Sequence, residues 1–407
     1  MDSGERYCLV VDRSSGLPLY YPNLYLTTQL RNRSVAFATL EAEASHLVVL
    51  LRFLARRGID LESRFSTKQF LKDFELDALR DFTQRRLRRL PANASHTPLS
   101  SLEELEESTE TVNIGTQYAR LTAIANYLGW LAGHLLDKTG HDVVEHVNAM
   151  CRQIKARRPE KKGRNDHKRE KSLSDDQIDA LFEVIRPGSD LNPFTESVQR
   201  RNRLILLLLF HLGIRGGELL SIRIRDIDFS KNQLRIQRRA DDKDDTRANE
   251  PNTKTLGRLL PLGNTLIKEL HDYITQDRRK VRNANRNDFL IVNHKEGPTQ
   301  GQPMSKAAYH KAIAVTRAVS PSLHGMSGHM LRHTWNRRFS EKMDSMDSPP
   351  AEARQEQIRS FLMGWKEGSG TAAIYNRRFA EKKGHEASLK MQKSSGVRVP
   401  RRLNGKH

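Results

Sequence analysis

Three short segments of this 407-residue chain contain residue types that together could act on a phosphodiester. The first contains Arg215, the second contains His329 and Arg332, and the third ends at Tyr375. An arginine guanidinium is planar and permanently charged, so it can bond two oxygens of one phosphate at once. A tyrosine oxygen can attack phosphorus and form a covalent ester. This combination predicts an enzyme that cuts and rejoins a nucleic-acid backbone.

Such a reaction sets further chemical requirements. In-line attack builds negative charge on the equatorial phosphate oxygens, which preorganised cations stabilise. The phenol, with an ordinary pKa of about 10, must lose its proton, and the departing sugar oxygen needs a proton donor. The sequence contains no cluster of metal-ligand residues and no Gly-x-x-x-x-Gly-Lys-Ser/Thr loop. We therefore expect side chains to act as acid and base, with no metal or cofactor.

The composition favours a polyanionic partner. Lys and Arg number 69 against 49 Asp and Glu, a net charge of +20, and such an excess is typical of proteins that bind nucleic acid. The longest purely apolar run, residues 204–210, is far shorter than the roughly 20 residues needed to span a bilayer. Cys8 and Cys151 are far apart in the sequence, and the N-terminus lacks a secretory-signal pattern. These features predict a reduced, intracellular protein rather than a membrane protein.

The first part of the chain has mainly helical periodicity. Residues 7–11 could form a strand, followed by a turn at 12–18. Amphipathic or apolar patterns predict four helices, the first of them closed by Gly58; they cover residues 36–58, 67–88, 114–136 and 141–157.

A charge-rich segment, residues 152–171, separates this part from the rest. It contains ten Lys or Arg residues and three acidic ones. It could be a solvated linker, or a linker that crosses the DNA backbone and neutralises phosphates. The two interpretations are compatible.

The second part is predicted to be helical with a small antiparallel sheet. Ser174 is a candidate N-cap for a helix that ends near Val184. Strands are expected on both sides of a turn at residues 230–232 and again at 258–262. Further helices are predicted at residues 196–211, 264–282, 304–319, 327–343, 351–363 and 370–381.

The three chemical segments carry a resemblance to a known family. Leu212-Gly-Ile-Arg-Gly-Gly-Glu-Leu219 resembles the pattern Thr-Gly-Leu-Arg-x-x-Glu-Leu, and His329-Met-Leu-Arg-His-Thr334 fits His-x-Leu-Arg-His-Thr throughout. Met363-Gly-Trp365 resembles Leu-Gly-His, with Tyr375 ten residues after Trp365 instead of about nine. The family tolerates Trp at that His position, and the extra residue suggests a local insertion. Over residues 172–382 the chain therefore resembles the tyrosine recombinases of the phage-integrase family.

The resemblance implies a role for each of these residues. Tyr375 would attack the scissile phosphate, forming a 3′-phosphotyrosyl link and leaving a free 5′-hydroxyl. Arg215 and Arg332 would hold the non-bridging oxygens. His329 would bond the phosphate and assist proton transfer, and the indole N–H of Trp365 would position the phosphate.

The same comparison indicates a catalytic lysine and two supporting residues. The family uses a lysine on a β-hairpin as general acid, and residues 252–262 resemble that hairpin. Lys254 is therefore the candidate acid, with Lys243 as the alternative. Glu218 would orient Arg215 from one helical turn away. His333 would support the residues that contact the phosphate.

The predicted fold class is mainly α in two domains, forming a C-shaped DNA clamp. A helical, SAM-like core DNA-binding domain would precede a mixed α/β catalytic domain with a small antiparallel sheet. The expected segments are an N-terminal extension, the core-binding domain, a basic linker, the catalytic domain and a basic tail; they cover residues 1–35, 36–157, 158–171, 172–382 and 383–407.

The family also implies partners. We expect double-stranded DNA carrying specific recombination sites, a homo-tetramer on synapsed DNA, and accessory DNA-bending or directionality proteins. The tail could pack on a neighbouring protomer. The expected activity is integration or excision of a mobile element. Two alternatives share the fold: a type IB topoisomerase-like enzyme and a non-catalytic DNA-binding regulator.

Overall fold

The computed structural model describes most of the chain, with gaps. The described residues are 4–33, 35–87, 110–136, 141–160, 172–239, 241–251, 255–366, 384 and 387–392. The chain divides into two compact units, Met1–His167 and Lys168–His407. The described residues are mainly helical with a small antiparallel sheet, as the sequence predicts. Most of the predicted linker, the predicted helix at 370–381 and most of the basic tail lie outside the described residues.

The N-terminal residues form a turn and a helix in place of the predicted strand. Residues 7–11 make a single antiparallel bridge, between Val11 and Pro18. The side chain of Asn23 accepts from the Val10 N–H at 2.9 Å and donates to the Val10 carbonyl at 2.7 Å. The Leu19 N–H donates to the same carbonyl at 3.0 Å, so the Val10 backbone is bonded both by this amide and by the segment that follows the turn.

The first unit is a bundle of helices around an apolar core. The predicted helix at residues 36–58 is observed, and it ends where Gly58 adopts the left-handed conformation, with φ of 59°. A short helix that the sequence analysis did not predict follows, capped by the carboxylate of Asp60. The helices are α1 Tyr20–Tyr25, α2 Phe37–Arg57, α3 Leu61–Ser66, α4 Asp73–Gln84, α5 Ile114–Leu135 and α6 His141–Ala156.

The second unit surrounds one apolar helix. That helix, α8, carries the run Leu204–Phe210, whose side chains are all buried. As predicted, Ser174 caps α7, accepting from the Gln177 N–H at 3.3 Å. The helices are α7 Asp175–Val184, α8 Glu196–Leu212, α9 Gly216–Leu220, α10 Asn264–Asp272, α11 Lys306–Ala318, α12 Gly328–Asp344 and α13 Glu352–Met363.

The predicted helix at 264–282 is observed, but its geometry changes along its length. The α-helical part ends at Asp272, and a π-helical segment at Tyr273–Asp277 and a 3-10 helix at Arg278–Lys280 continue it almost to the predicted end. Arg278 donates to the carbonyls of Phe289, Ala284 and Asn287 at 3.0, 2.9 and 2.8 Å. These bonds anchor the end of the helical segment to the chain that follows it.

Three short strands form an antiparallel sheet in the order β1-β2-β3. They are β1 Ile227–Asp228, β2 Gln233–Ile236 and β3 Arg258–Pro261. Leu234 lies opposite both Ile227 and Leu260, and these three side chains face the core. The turn between β1 and β2 lies where it was predicted, with the Asp228 carboxylate accepting from the N–H groups of Ser230 and Lys231 at 3.0 Å each.

The connection between β2 and β3 contains both candidate lysines, and Arg247 anchors its described part. The Arg247 guanidinium is paired with Asp245 and donates to the carbonyls of Leu220 and Met304 at 3.0 and 2.9 Å. Among the described residues, no helix is long and apolar enough to cross a membrane.

Candidate active site

Arg215 lies at the junction of two helices. Helix α8 ends at Gly213, which has φ of 60°, and Arg215 is the extended N-cap residue of α9. A Cβ on Gly213 would lie 2.8 Å from Trp335 Cγ and 2.9 Å from Met363 Cε. Glycine is therefore required both by the left-handed backbone and by the close approach of α12 and α13. This tight turn leaves Arg215 half-buried at the edge of the core.

Glu218 lies behind Arg215 and contacts its backbone. The Arg215 N–H donates to Glu218 Oε2 at 2.9 Å, whereas its guanidinium Nη1 is 3.9 Å from Glu218 Oε1. The carboxylate therefore holds the main chain at Arg215 more closely than it holds the guanidinium. The orienting role predicted for Glu218 stays a prediction.

Arg258 is a central residue of this site, and the sequence analysis gave it no role. Its Nη1 and Nη2 donate to Glu218 at 3.2 and 3.0 Å, and Thr255 Oγ1 donates to the same carboxylate. Burial would raise the pKa of Glu218, but the bonds and charge of Arg258, with smaller contributions from Thr255 and the Arg215 N–H, hold that pKa below its usual value. Glu218 is therefore an ionised carboxylate in the interior.

The same arginine reaches the segment that precedes Trp365. Arg258 Nε donates to the Leu362 carbonyl at 2.7 Å, and the Leu256 N–H donates to the Gly364 carbonyl at 3.0 Å. Through these bonds the hairpin connection, α9 and the end of α13 are held together. Periodicity in the sequence could not have indicated this role of Arg258, because Glu218 and Leu362 are 40 and 104 positions away from it.

Arg332 connects the segments of the other two motifs through hydrogen bonds. It lies on α12, is 1% exposed, and donates to the carbonyls of Gly213 and Met363 at 2.7 and 3.0 Å. Its guanidinium carbon is 5.3 Å from the centre of the Trp365 ring. Gly213 lies two residues before Arg215, so Arg332 fixes the turn that carries Arg215 relative to the segment that carries Trp365.

His329 and His333 are one turn apart on α12. Their rings meet edge to face, with centroids 4.6 Å apart. His329 is exposed near the helix start and His333 is half-buried. The helix is capped by Ser327, whose hydroxyl accepts from the Met330 N–H at 3.2 Å. The histidine and the arginine of this motif therefore differ in exposure, since His329 faces solvent and Arg332 faces the core.

Trp365 is buried, with 7% of its surface exposed. It directly follows Gly364, which has φ of 65° and ends α13. The backbone N–H of Trp365 donates to the Ser360 carbonyl at 2.9 Å. Packing against Arg332 places the indole beside that guanidinium, and the phosphate-positioning role of Trp365 stays a prediction.

Two of the predicted catalytic residues, Lys254 and Tyr375, lie outside the described residues, as does the suggested insertion before Tyr375. Lys243, the alternative acid, is exposed on the loop that Arg247 anchors. Among the described residues, no three His, Cys, Asp or Glu side chains lie close enough to hold a metal ion. The structure thus brings together Arg215, Glu218, Arg332 and Trp365 and places both histidines on the helix of Arg332.

Comparison with known proteins identifies the family. Residues 171–382 match the Phage integrase family. Transposase A from transposon Tn554 of Staphylococcus aureus is 24% identical over 326 residues, 78% of each chain. Tyrosine recombinase XerA of Pyrococcus furiosus is 31% identical over 104 residues, 26% of this chain and 28% of the archaeal protein.

Solved structures of similar proteins were also found. The crystal structure of XerA recombinase is 15% identical and covers 93% of this chain and 99% of that one, with a TM-score of 0.35. The Tn1549 transposon integrase in complex with transposon right end DNA is 14% identical and covers 80% of this chain and 100% of that one, with a TM-score of 0.40.

Because the family match covers more than half of the chain, the protein belongs to the phage integrase family. It is a tyrosine recombinase, an enzyme that cuts and rejoins DNA. The family predicted from the three motifs is confirmed.

Proposed function

We propose that this protein recombines specific DNA sites of a mobile element through a 3′-phosphotyrosyl intermediate on Tyr375. The observation that carries the proposal is the position of Arg332, which bonds carbonyls beside Arg215 and beside Trp365. Three motifs, whose arginine and tryptophan residues lie at positions 215, 332 and 365 of the sequence, therefore converge. The similarity to transposase A from transposon Tn554 supports the link to a mobile element.

The proposed chemistry divides among the named residues. The Tyr375 oxygen attacks phosphorus, the bond from phosphorus to the 5′ oxygen breaks, and the strand remains esterified to the enzyme. His329 assists removal of the phenol proton, and Lys254 gives a proton to the departing 5′ oxygen. Arg215 and Arg332 neutralise the charge that builds on the non-bridging oxygens.

The second half of the reaction reverses the first. A 5′-hydroxyl from the partner strand attacks the phosphotyrosyl ester and gives its proton to Lys254, the bond from phosphorus to the Tyr375 oxygen breaks, and the phenol regains a proton with the help of His329. Because the ester conserves the energy of the cleaved bond, rejoining needs no nucleotide cofactor. In this proposal Trp365 positions the phosphate and Glu218 orients Arg215. His333 supports His329 from one turn away.

The proposal extends to assembly. The core DNA-binding domain of residues 36–157 and the catalytic domain of residues 172–382 both contact the duplex. Four protomers join two recombination sites inside the cell, with accessory DNA-bending or directionality proteins. The basic tail, residues 383–407, contacts a neighbouring protomer.

A nicked suicide substrate tests the central claim. When the short strand diffuses away after cleavage, the covalent complex accumulates and migrates slowly on a denaturing gel. We expect wild-type protein to form this complex and Tyr375→Phe to bind the same DNA without forming it. A covalent complex in Tyr375→Phe would refute the proposed nucleophile.

Two alternatives give different outcomes in the same experiment. A type IB topoisomerase-like enzyme would cut many sequences as a monomer and relax supercoiled plasmid without pairing sites. A non-catalytic regulator would bind DNA and never become attached to it. Dependence on one sequence together with paired complexes would support the recombinase.

A further inference from the structure

The ring of Tyr309, on α11, lies between the first residues of two other helices. A Cβ on Gly216, the first residue of α9, would lie 2.9 Å from Tyr309 Cε1, Cζ and Oη. A Cβ on Gly328, the first residue of α12, would overlap the Tyr309 hydroxyl oxygen and lie 3.2 Å from its Cζ. Real Cβ atoms do not come this close to other atoms, so both helix starts admit the tyrosine only because they carry glycine.

These two glycines adjoin residues of the proposed site. Gly216 directly follows Arg215, and Gly328 directly precedes His329. One rigid side chain from a third helix therefore touches the backbone beside a phosphate-binding arginine and the backbone beside the histidine. The aromatic ring spans the space between them with few accessible conformations.

The environment of Tyr309 suits a spacer. The residue is 5% exposed, and its helix is held by the Ser305 cap, whose hydroxyl accepts from the Ala308 N–H at 3.1 Å. The side chains of Ala312 and Ile313, one turn further along α11, are buried in the same unit. Burial raises the pKa of Tyr309 to about 12, so the phenol adds no charge next to the proposed phosphate site.

We infer that Tyr309 is a positioning residue that sets the distance between Arg215 and His329, so that both reach the same scissile phosphate. The inference rests on the proposed function of these two residues. Misplacing catalytic groups by about 1 Å can cost on the order of 100-fold in rate. A change in the Tyr309 contacts should therefore lower the rate of cleavage much more than it lowers DNA affinity.

The two contacts differ in a way that gives a specific test. Removing only the hydroxyl, with Tyr309→Phe, eliminates the overlap with a Cβ at position 328 and leaves Cζ at 3.2 Å. The same change leaves Cε1 and Cζ 2.9 Å from a Cβ at position 216. Tyr309→Phe should therefore relieve Gly328→Ala and fail to relieve Gly216→Ala.

The experiment measures single-turnover formation of the covalent complex on saturating nicked DNA, together with DNA affinity and melting temperature. We expect Gly216→Ala and Gly328→Ala each to slow cleavage on the order of 100-fold, with affinity changed less than about threefold. Adding Tyr309→Phe should return Gly328→Ala to within about fivefold of Tyr309→Phe alone. Gly263→Ala is the control, because nothing lies within 4 Å of a Cβ there.

Several outcomes would overturn the inference. They are unchanged cleavage in both glycine variants, equal rescue of both by Tyr309→Phe, or cleavage losses that follow melting temperature across all variants. If a glycine variant does not fold, Tyr309→Leu provides the test, since it keeps apolar volume and removes the flat ring. It should bind DNA normally and cleave at least tenfold more slowly; normal cleavage would reject the spacer. Failure of the proposed function would be distinct, because wild-type protein would then form no covalent complex.

Discussion

Glu218 and Arg258 form an ion pair in the interior, with Glu218 Oε2 and Arg258 Nη2 3.0 Å apart and side-chain exposures of 0% and 1%. Glu218 also accepts from the Arg215 N–H, and Arg258 also donates to the Leu362 carbonyl. The pair therefore joins the turn that carries Arg215 to the end of α13. A buried pair of this kind is sensitive to the loss of either partner, because the remaining charge has no solvent around it.

Removing the positive partner should destabilise the second unit strongly. Arg258→Met leaves an ionised carboxylate buried without its cation and should lower the free energy of unfolding by about 3–5 kcal/mol. Urea denaturation followed by circular dichroism measures this. Arg235→Met is the matched control, since Arg235 is exposed on β2 and its loss should change stability by less than about 0.5 kcal/mol. Similar values for the two variants would show that the buried pair does not stabilise the fold.

The pair also predicts how stability depends on pH. The folded-state pKa of Glu218 lies below its ordinary value, so its stabilising effect is fully present above the unfolded-state pKa of about 4.3 and is lost as pH falls through the folded pKa. Wild-type protein should therefore lose stability on acidification below about pH 4.3, and Glu218→Gln should lose less. The difference in unfolding free energy between the two should be largest near neutral pH and narrow in acid. A constant difference across that range would contradict the prediction.

Arg215 and Arg332 should respond differently to truncation. Each Ala variant should slow cleavage on the order of 100- to 1000-fold, as removal of a transition-state donor does. Arg332→Ala should also lower the melting temperature, because the buried carbonyls of Gly213 and Met363 lose their donors. Arg215 is half-buried at the edge of the unit, so Arg215→Ala should melt close to wild type. Equal melting temperatures for both variants would contradict the structural role of Arg332.

Gly364 should tolerate no side chain. It has φ of 65°, and a Cβ there would lie 2.6 Å from Arg258 Nη1 and 2.9 Å from the Leu256 carbonyl oxygen. Gly364→Ala combines left-handed strain of about 1–2 kcal/mol with overpacking of about 1–3 kcal/mol. Gly188→Ala has φ of 75° with nothing within 4 Å, so it measures the strain alone. Thermal denaturation should show a clearly larger loss for Gly364→Ala, and equal losses would mean that the crowding is relieved at no cost.

The candidate general acid can be tested with a modified substrate. A 5′-bridging sulfur departs without protonation, so it should restore cleavage by Lys254→Ala while giving little benefit to wild-type protein. Lys243→Ala should cleave the ordinary substrate at a rate near that of wild type. Rescue of Lys243→Ala in place of Lys254→Ala would move the acid role to Lys243.

Local signals in the sequence determined much of the secondary structure and the family. Gly58 and Ser174 end and begin helices through the backbone of their own neighbours, so short-range rules locate them. The motifs around Arg215, Arg332 and Trp365 were recognisable because each occupies a few consecutive residues. Periodicity likewise located α2, α5 and α8 to within a residue or two at each end.

Tertiary structure decided what depends on residues distant in the chain. Asn23 bonds the backbone of Val10, Arg278 bonds the Phe289 carbonyl, and Arg258 bonds Leu362 from 104 positions away. None of these partners follows from helical or strand periodicity, because each is selected by the packing of whole elements. The placement of Tyr309 between Gly216 and Gly328 has the same origin, since three helices must first pack before one ring can contact two of them.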